Sequence, residues 1–252
     1  MKTCYFTATG NSLYAAKRIG GELLSIPQLM RQEKIVIADE AVGIVCPVYC
    51  GEMPKMVRKF IEKAVIRTNY FFFVYTYGAS KSFSEVNALE CMRKKGIRLN
   101  YVNSVLMVDN FLPGFESQHQ IDTASEKNIE EQITEISKDI AERKQQFRAS
   151  GLFKKIGTSV LHNTMARAVL NPKAAQKYIV NEKCVQCGIC AMVCPADNIT
   201  VTDTVQFSDH CEVCYACVHS CPQNAIHLKR ERSAVRFRNE HVTLKELTDS
   251  NQ

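Results

Sequence analysis

The feature that most constrains this chain is a cysteine pattern that occurs twice in its C-terminal part. Of the twelve cysteines among 252 residues, eight lie within residues 184–221. The run Cys-x2-Cys-x2-Cys-x3-Cys-Pro recurs with every cysteine displaced by 27 positions, which indicates an internal duplication. Its members are Cys184, Cys187, Cys190 and Cys194, followed by Cys211, Cys214, Cys217 and Cys221. Where thiols are kept reduced, such crowding indicates bound metal rather than disulfides.

The spacing of these cysteines favours two [4Fe-4S] clusters. Three thiolates spaced in this way reach three corners of one cube, and the cysteine that precedes proline ligates the other cluster. One predicted ligand set is Cys184, Cys187, Cys190 and Cys221, and the other is Cys211, Cys214, Cys217 and Cys194. The exchanged fourth ligand braces two halves that are each too small for an apolar core, so cluster binding contributes to folding. Structural zinc is the alternative, although zinc sites usually use separated cysteine pairs.

Residues 178–228 resemble the bacterial two-[4Fe-4S] ferredoxins, on the basis of these eight cysteines and both Cys-Pro pairs. The resemblance implies electron transfer. The formal charge of +6 counts every cysteine as neutral, and eight thiolates around two cubanes would add about four negative charges in all. Because most of the basic excess then disappears and no Lys/Arg block is present, we expect no nucleic-acid binding.

Residues 2–108 alternate short apolar runs with amphipathic segments. Nearly continuous apolar strands that alternate with helices are typical of a parallel sheet covered on both faces. The predicted strands are residues 3–6, 41–48, 70–77 and 99–108, with one more short strand near 25–29 or 35–37. The predicted helices are residues 12–24, 54–63 and 81–95. The pattern therefore predicts a five-stranded parallel α/β sheet.

The middle and the end of the chain carry weaker patterns. Residues 124–147 predict an amphipathic helix that closes one face of the sheet. Its apolar stripe consists of Ile129, Ile133, Ile136, Ile140 and Phe147. Residues 150–177 predict a helical connector, and residues 231–252 a charged, peripheral tail.

A loop rich in hydroxyl groups and glycine follows the first predicted strand. Residues 6–12, the phosphate loop, read Phe-Thr-Ala-Thr-Gly-Asn-Ser and lead into a helical run. Side-chain O–H and backbone N–H donors in front of a helix N-terminus suit a phosphate group. The loop lacks the Gly-Lys-Ser/Thr ending of a Walker loop and the three glycines of the dinucleotide fingerprint. A turn that merely caps the helix, or a site for another phosphorylated ligand, is the alternative.

The phosphate loop resembles the first loop of the flavodoxin family, which wraps the phosphate of FMN. The matching residues are Thr7, Thr9, Gly10, Asn11 and Ser12. Two later loops, at the predicted carboxyl ends of strands, resemble the flavodoxin loops that flank the isoalloxazine ring. They contribute Pro47, Val48 and Tyr49, and then Thr76, Tyr77 and Gly78. The resemblance implies that Tyr49 and Tyr77 flank the ring. Asn110 follows the last predicted strand and either borders the same site or forms an ordinary turn, and Cys50 lies next to Tyr49 in the flavin loop.

The chain as a whole resembles fusions of a flavodoxin-like domain with a two-[4Fe-4S] ferredoxin. This implies an FMN-binding domain over residues 1–149, with a doubly wound sheet, and a small α+β ferredoxin-like domain over residues 178–230. The segment between the first and third strands is short for a complete flavodoxin crossover, so we expect a reduced second helix.

The resemblance further implies an electron carrier that couples the one-electron steps of the clusters to the two-electron chemistry of FMN. It would act with redox partner proteins. The alternative is an FMN-dependent oxidoreductase that acts on a small acceptor such as a quinone or nitro compound, although no histidine falls in a flavin loop. Because the longest uncharged stretch, residues 68–80, is too short for a membrane span, we expect a cytoplasmic protein.

Overall fold

The computed structural model describes residues 1–147 and 169–252. A parallel sheet forms the centre of the N-terminal part, with strand order β2-β1-β4-β6-β7-β8. Its strands are β1 (Lys2–Tyr5), β2 (Glu22–Ser25), β4 (Ala41–Pro47), β6 (Tyr70–Tyr77), β7 (Tyr101–Leu106) and β8 (Gln146–Phe147). Two further strands, β3 (Val36–Ala38) and β5 (Val65–Arg67), pair in parallel outside it. The predicted five-stranded parallel sheet is thus confirmed, and the two-residue strand β8 extends its edge. Its fifth strand is β2, however, and not residues 25–29 or 35–37 as predicted.

Helices cover both faces of the sheet. They are α1 (Asn11–Ile19), α2 (Ile26–Met30), α3 (Lys55–Lys63), α4 (Ser84–Lys95) and α6 (Ile129–Ala141), and the short helix α5 (Ser117–Asp122) lies in the connection between β7 and α6. Strand β6 consists almost entirely of apolar and aromatic residues and shows no alternation with polar ones. Phe72 and Val74 pack on the side of α1 and α6, whereas Phe71, Phe73 and Tyr75 pack on the side of α2, α3 and α4. Both faces of the central strand are therefore buried.

The prediction that the first helix reaches residue 24 is wrong, because two glycines end it. Gly20 and Gly21 have φ angles of 88° and 86°, which place both outside the right-handed helical region. A Cβ at Gly21 would lie 2.6 Å from the carbonyl oxygen of Met1. The chain therefore turns back and forms β2 beside β1, and the second helix is reduced to the five residues of α2.

The predicted amphipathic helix is shorter than residues 124–147. Ile133, Ile136 and Ile140 of α6 are buried against the sheet, but Phe147 lies in β8. The helix ends because Arg143 adopts a left-handed conformation with a φ of 56°. Most of the predicted connector, residues 150–168, lies outside the described residues, and Ala174–Lys177 form a 3-10 helix.

The C-terminal part shows the duplication in its backbone. Its elements are β9 (Ile179–Val180), α7 (Ile189–Met192), β10 (Ile199–Val201), β11 (Val205–Phe207), α8 (Ala216–Ser220), β12 (Ile226–His227) and α9 (Leu244–Asn251). Helices α7 and α8 begin 27 positions apart, as do strands β10 and β12. Left-handed residues repeat at the same offset, with Gln186, Gly188 and Asp197 matched by Val213, Tyr215 and Asn224. We call residues 184–190 the first cysteine loop and residues 211–217 the second.

The prediction of a peripheral tail is also wrong. Val242 and Leu247 are buried, and the α9 residue Ser250 bonds the Tyr5 hydroxyl at 2.8 Å. A capping box between Thr243 and Glu246 begins α9. Apolar side chains that lie between the charged residues of the tail pack against the N-terminal part, and the sequence analysis overlooked them. In the described ranges, no helix is long and apolar enough to cross a bilayer.

Candidate functional site

A cavity of about 270 Å³ lies at the carboxyl ends of β1, β4, β6 and β7, where ligands of open parallel sheets bind. It is lined by ten of the residues that the sequence singled out. They are Thr7, Thr9, Asn11, Ser12, Pro47, Val48, Tyr49, Thr76, Tyr77 and Gly78. Gly10 lies behind this lining at the start of α1, with a φ of 101°. The structure thus brings the three predicted loops together.

The hydroxyl groups of the phosphate loop are arranged as donors. Thr7 Oγ1 accepts a hydrogen bond from the Gly10 N–H at 3.2 Å, and Thr9 Oγ1 accepts one from Asn110 Nδ2 at 2.8 Å. Both hydroxyls therefore keep their own proton for the cavity. No acidic side chain lies in the first turn of α1, so the positive end of the helix dipole is not neutralised there. This donor set fits a phosphate group.

The C-terminal tail packs against the back of the phosphate loop. A Cβ at Gly10 would lie 3.0 Å from the Cβ atoms of both Asn239 and Val242, so only glycine allows this approach. The Asn239 N–H donates to the Thr9 carbonyl oxygen at 2.8 Å, and Asn239 Nδ2 donates to Asn11 Oδ1 at 3.1 Å. The sequence analysis missed Asn239 because no local pattern places residue 239 beside residue 9.

Aromatic side chains border the cavity. The Tyr49 ring meets Phe6 edge-on, with centroids 6.5 Å apart, and Tyr77 lies at the end of β6. Among the described residues, the buried Tyr49 hydroxyl has no hydrogen-bond partner. Burial, with smaller contributions from nearby Cys214 and Glu212, raises the pKa of Tyr49 well above its ordinary value. Because this hydroxyl has almost no accessible surface, it is not a donor to a group in the cavity.

The second cysteine loop contributes to the cavity wall through Val213 and Tyr215. Both residues have left-handed backbone, with φ angles of 54° and 60°. This conformation is strained for β-branched and bulky residues, and such strain often accompanies a functional site. The corresponding residue to Tyr215 in the first loop is Gly188. That replacement of glycine by tyrosine is the sequence signal that could have identified this part of the wall.

A buried carboxyl also lines the cavity. Asp109 Oδ1 accepts a hydrogen bond from the Phe111 N–H at 2.8 Å, and the carboxyl packs so closely on Gly78 that a Cβ there would collide with it. Burial raises the pKa of Asp109, opposed by that backbone hydrogen bond and by the nearby Lys127. The sequence analysis considered only histidines as proton donors and missed this group. Cys50 lines the cavity as well, and burial raises the pKa of its thiol, which disfavours a reactive thiolate.

The first predicted ligand set surrounds a small cavity of its own. Cys184, Cys187, Cys190 and Cys221 line it together. The pKa of Cys190 is raised to about 11, mainly by burial and further by the other three thiols. The Ala225 N–H donates to Cys221 Sγ at 3.2 Å.

The second set converges in the same way. Burial raises the pKa of Cys217 well above its ordinary value, and Cys214, Cys194 and Cys211 raise it further. The Val213 N–H donates to Cys211 Sγ at 3.2 Å, and the Asn198 N–H donates to Cys194 Sγ at 3.3 Å. Such N–H···S bonds stabilise cluster thiolates and tune their potentials.

Within residues 1–147 and 169–252, no three Cys, His, Asp or Glu side chains converge closely enough to hold a single metal ion. Each cysteine group offers four thiolates, three at two-residue spacing and a remote fourth that precedes proline, and this is the donor set of a [4Fe-4S] cube.

Comparison with known proteins supports this chemistry. A protein-family model described as a 4Fe-4S dicluster domain matches residues 140–240. The pyruvate synthase subunit PorD of Methanocaldococcus jannaschii is 41% identical over 54 residues, which cover 20% of this chain and 63% of that subunit. PorD of Methanothermobacter marburgensis is 31% identical over 55 residues, covering 22% of this chain and 67% of that protein.

The C-terminal part of this chain therefore belongs to the 4Fe-4S dicluster family. The prediction of an iron-sulfur, ferredoxin-type domain for electron transfer is confirmed. The 4Fe-4S dicluster domain follows the α/β sheet in the chain. The second cysteine loop of this domain forms part of the wall of the cavity at the edge of the sheet. The chain spans 63% of the length of the first of these relatives.

Proposed function

We propose that this chain is a redox protein that binds FMN in the cavity and two [4Fe-4S] clusters in its 4Fe-4S dicluster domain, and that transfers electrons between them. One observation carries the proposal. The cavity that is lined by the phosphate loop is also lined by Val213 and Tyr215, which lie between the cysteines of the second cysteine loop. The two cofactor sites therefore adjoin within one chain.

The strand order supports a flavodoxin-like N-terminal domain with bound FMN. Numbered by their order in the chain, the strands of the main sheet lie in the order 2-1-3-4-5-6, and the flavodoxin order is 2-1-3-4-5 with FMN at the point where the order reverses. Thr7, Thr9, Asn11 and Ser12 would hold the phosphate, with Gly10 shaping the turn. The loops at residues 47–49 and 76–78 would border the ring, flanked by Tyr49 and Tyr77.

The two groups of thiols support the predicted ligand sets. Cys184, Cys187, Cys190 and Cys221 would hold one cluster, and Cys211, Cys214, Cys217 and Cys194 the other. When bound, FMN supplies two-electron chemistry and each cubane supplies one-electron transfer. A chain that carries both cofactors can therefore couple one-electron transfer at the clusters to two-electron transfer at the flavin.

Exposure differs between the two loops and indicates where partner proteins approach. Cys187 is exposed and Val185 of the first loop is 59% exposed, whereas Cys214, which corresponds to Cys187, is buried. We propose that the chain acts as a carrier in the cytoplasm, with redox partner proteins that reach the first loop. The relatives' description as subunits of a pyruvate synthase supports partnership with an oxidoreductase.

Asp109 favours a second candidate function. Asp109 lines the cavity, and burial raises the pKa of its carboxyl. Such a carboxyl is the candidate proton donor for an FMN-dependent oxidoreductase that acts on a quinone or nitro compound. Turnover of a small acceptor without any partner protein, lost in Asp109→Asn, would decide for this alternative.

A reductive titration tests the proposed function. Protein loaded with both cofactors is titrated with dithionite in the absence of oxygen, and the electrons taken up per chain are counted from the visible spectrum. The proposal predicts about four, one for each cubane and two for the flavin. Uptake of about two, with no flavin reduction, would contradict it.

A further inference from the structure

A buried histidine connects the 4Fe-4S dicluster domain to the loop beside the cavity. His219 lies in α8, between Cys217 and Cys221, and is 6% exposed. Its Nδ1 atom accepts a hydrogen bond from the Phe237 N–H at 3.0 Å. Since Nδ1 accepts, the ring proton lies on Nε2, which donates to the Asn110 carbonyl oxygen at 2.9 Å.

The contacts continue from Asn110 into the phosphate loop. Asn110 Nδ2 donates to Thr9 Oγ1 at 2.8 Å, so the position of Asn110 determines which way the Thr9 hydroxyl points its own proton. The Thr9 carbonyl oxygen is held from the other side by the Asn239 N–H. An unbroken series of hydrogen bonds thus runs from the helix between two cluster ligands to a phosphate donor.

Among the residues that the structure describes, the first half of the duplication has no counterpart to this connection. The residue that corresponds to His219 is Met192, which is 38% exposed. A buried imidazole with both nitrogen atoms satisfied stands where the other copy has an exposed thioether. The difference between the copies indicates that the histidine serves the phosphate loop rather than the cysteine scaffold.

We propose that His219 is a positioning residue that aligns the phosphate loop through Asn110, and that this couples FMN binding to the assembled 4Fe-4S dicluster domain. The inference rests on the proposed function, since FMN is the ligand of the loop. Helix α8 is held by ligands on both sides of His219, so the imidazole is in place when the cluster domain is folded. By linkage, FMN binding then stabilises the cluster domain to the same extent.

Two substitutions in the full, cluster-loaded chain separate positioning from simple packing. His219→Asn keeps an acceptor near the Phe237 N–H but removes the donor to Asn110, whereas His219→Gln keeps a donor near the position of Nε2. We expect FMN titration by fluorescence to show about tenfold weaker binding for His219→Asn and less than about threefold for His219→Gln. The exposed His210 provides the control, because His210→Ala breaks no contact with the phosphate loop. Iron content is measured in every variant.

Equal FMN affinity of wild type and His219→Asn, at full iron content, would overturn the inference and leave the proposed function standing. So would equal losses in both His219 variants, because packing alone explains them. If the wild type binds no FMN, the proposed function fails, and hydrogen exchange then decides the inference. Faster exchange of the Gly10 and Asn239 amides in His219→Asn than in wild type supports the positioning role, and unchanged exchange overturns it.

Discussion

The two cysteine loops have the same backbone but different surroundings. Left-handed residues, helix starts and the following strands repeat at an offset of 27 positions. The first loop carries Gly188 and exposes Cys187, whereas the second carries Tyr215 and buries Cys214. The duplication thus kept the scaffold for metal and changed the residues between the cysteines. In the second copy these residues became part of the cavity wall.

Tyr215 shows that this change has an energetic cost. A left-handed conformation costs a residue with a side chain roughly 1–2 kcal/mol. The Tyr215 ring is 8% exposed and lies 6.0 Å from the ring of Phe111 and 6.4 Å from that of Tyr178. Burial of an aromatic ring offsets the strain. In the first copy Gly188 has the same left-handed backbone, with a φ of 78°, and avoids the strain because glycine has no Cβ.

The largest effect is expected from removal of one ligand in each loop. Cys184→Ala and Cys211→Ala should each lose at least one cluster, because a ligand set is left incomplete. Cys211→Ala should weaken FMN binding more than Cys184→Ala does, since only the second cysteine loop borders the cavity. Iron and sulfide assays measure the first effect and fluorescence titration the second. Cys91→Ala, a buried thiol outside both loops, serves as the control, and unchanged iron in both ligand variants would sink the assignment.

The phosphate loop should show the next largest effect. Thr9→Val combined with Asn11→Ala removes a hydroxyl donor and the side chain that joins Asn239 to the loop. Loss of these contacts should weaken FMN binding by roughly 100-fold, measured by fluorescence titration. Thr248→Val alters a half-buried threonine whose hydroxyl donates to the Lys245 carbonyl oxygen within α9, so this variant should bind FMN normally. Equal affinity for the double variant would place the site elsewhere.

Exchange of the residues that distinguish the two loops should have a smaller effect. Tyr215→Gly removes backbone strain but also removes the cavity wall, so FMN affinity should fall by about tenfold while iron content stays the same. Gly188→Tyr introduces the same strain in the first loop and should leave FMN affinity unchanged. A result in which both variants change FMN affinity equally would contradict the division between the loops.

The smallest effect concerns pH. Burial raises the pKa of Asp109 above its ordinary 3.8 in the folded chain, so the folded state holds this proton more tightly than the unfolded state. The contribution of Asp109 to the free energy of unfolding therefore falls as pH rises from the pKa of Asp109 in the unfolded chain to its higher pKa in the folded chain. Asp109→Asn should raise Tm at pH 7 by about 2 °C, with a smaller gain toward pH 4. A gain of the same size at both pH values would contradict this role of the carboxyl.

Local sequence patterns correctly predicted the features that depend on residues close together in the chain. The cysteine spacing indicated the 4Fe-4S dicluster domain, and the apolar run of β6 indicated a strand buried on both faces. The loops at residues 47–49 and 76–78 were identified by their resemblance to flavodoxin loops, and they lie together because parallel strands end at the same edge of the sheet. Local patterns failed where contacts join distant residues, as between Asn239 and Thr9 or His219 and Asn110. They failed also at Gly20 and Gly21, where backbone conformation overrode a helical pattern of side chains.

The central claim is that FMN and two cubanes occupy adjoining sites in one chain. The most direct measurement is the content of iron, acid-labile sulfide and released flavin in protein purified without oxygen. The account predicts about eight irons, eight sulfides and one FMN per chain. Zinc in place of iron, or iron without flavin after exposure to FMN, would contradict it.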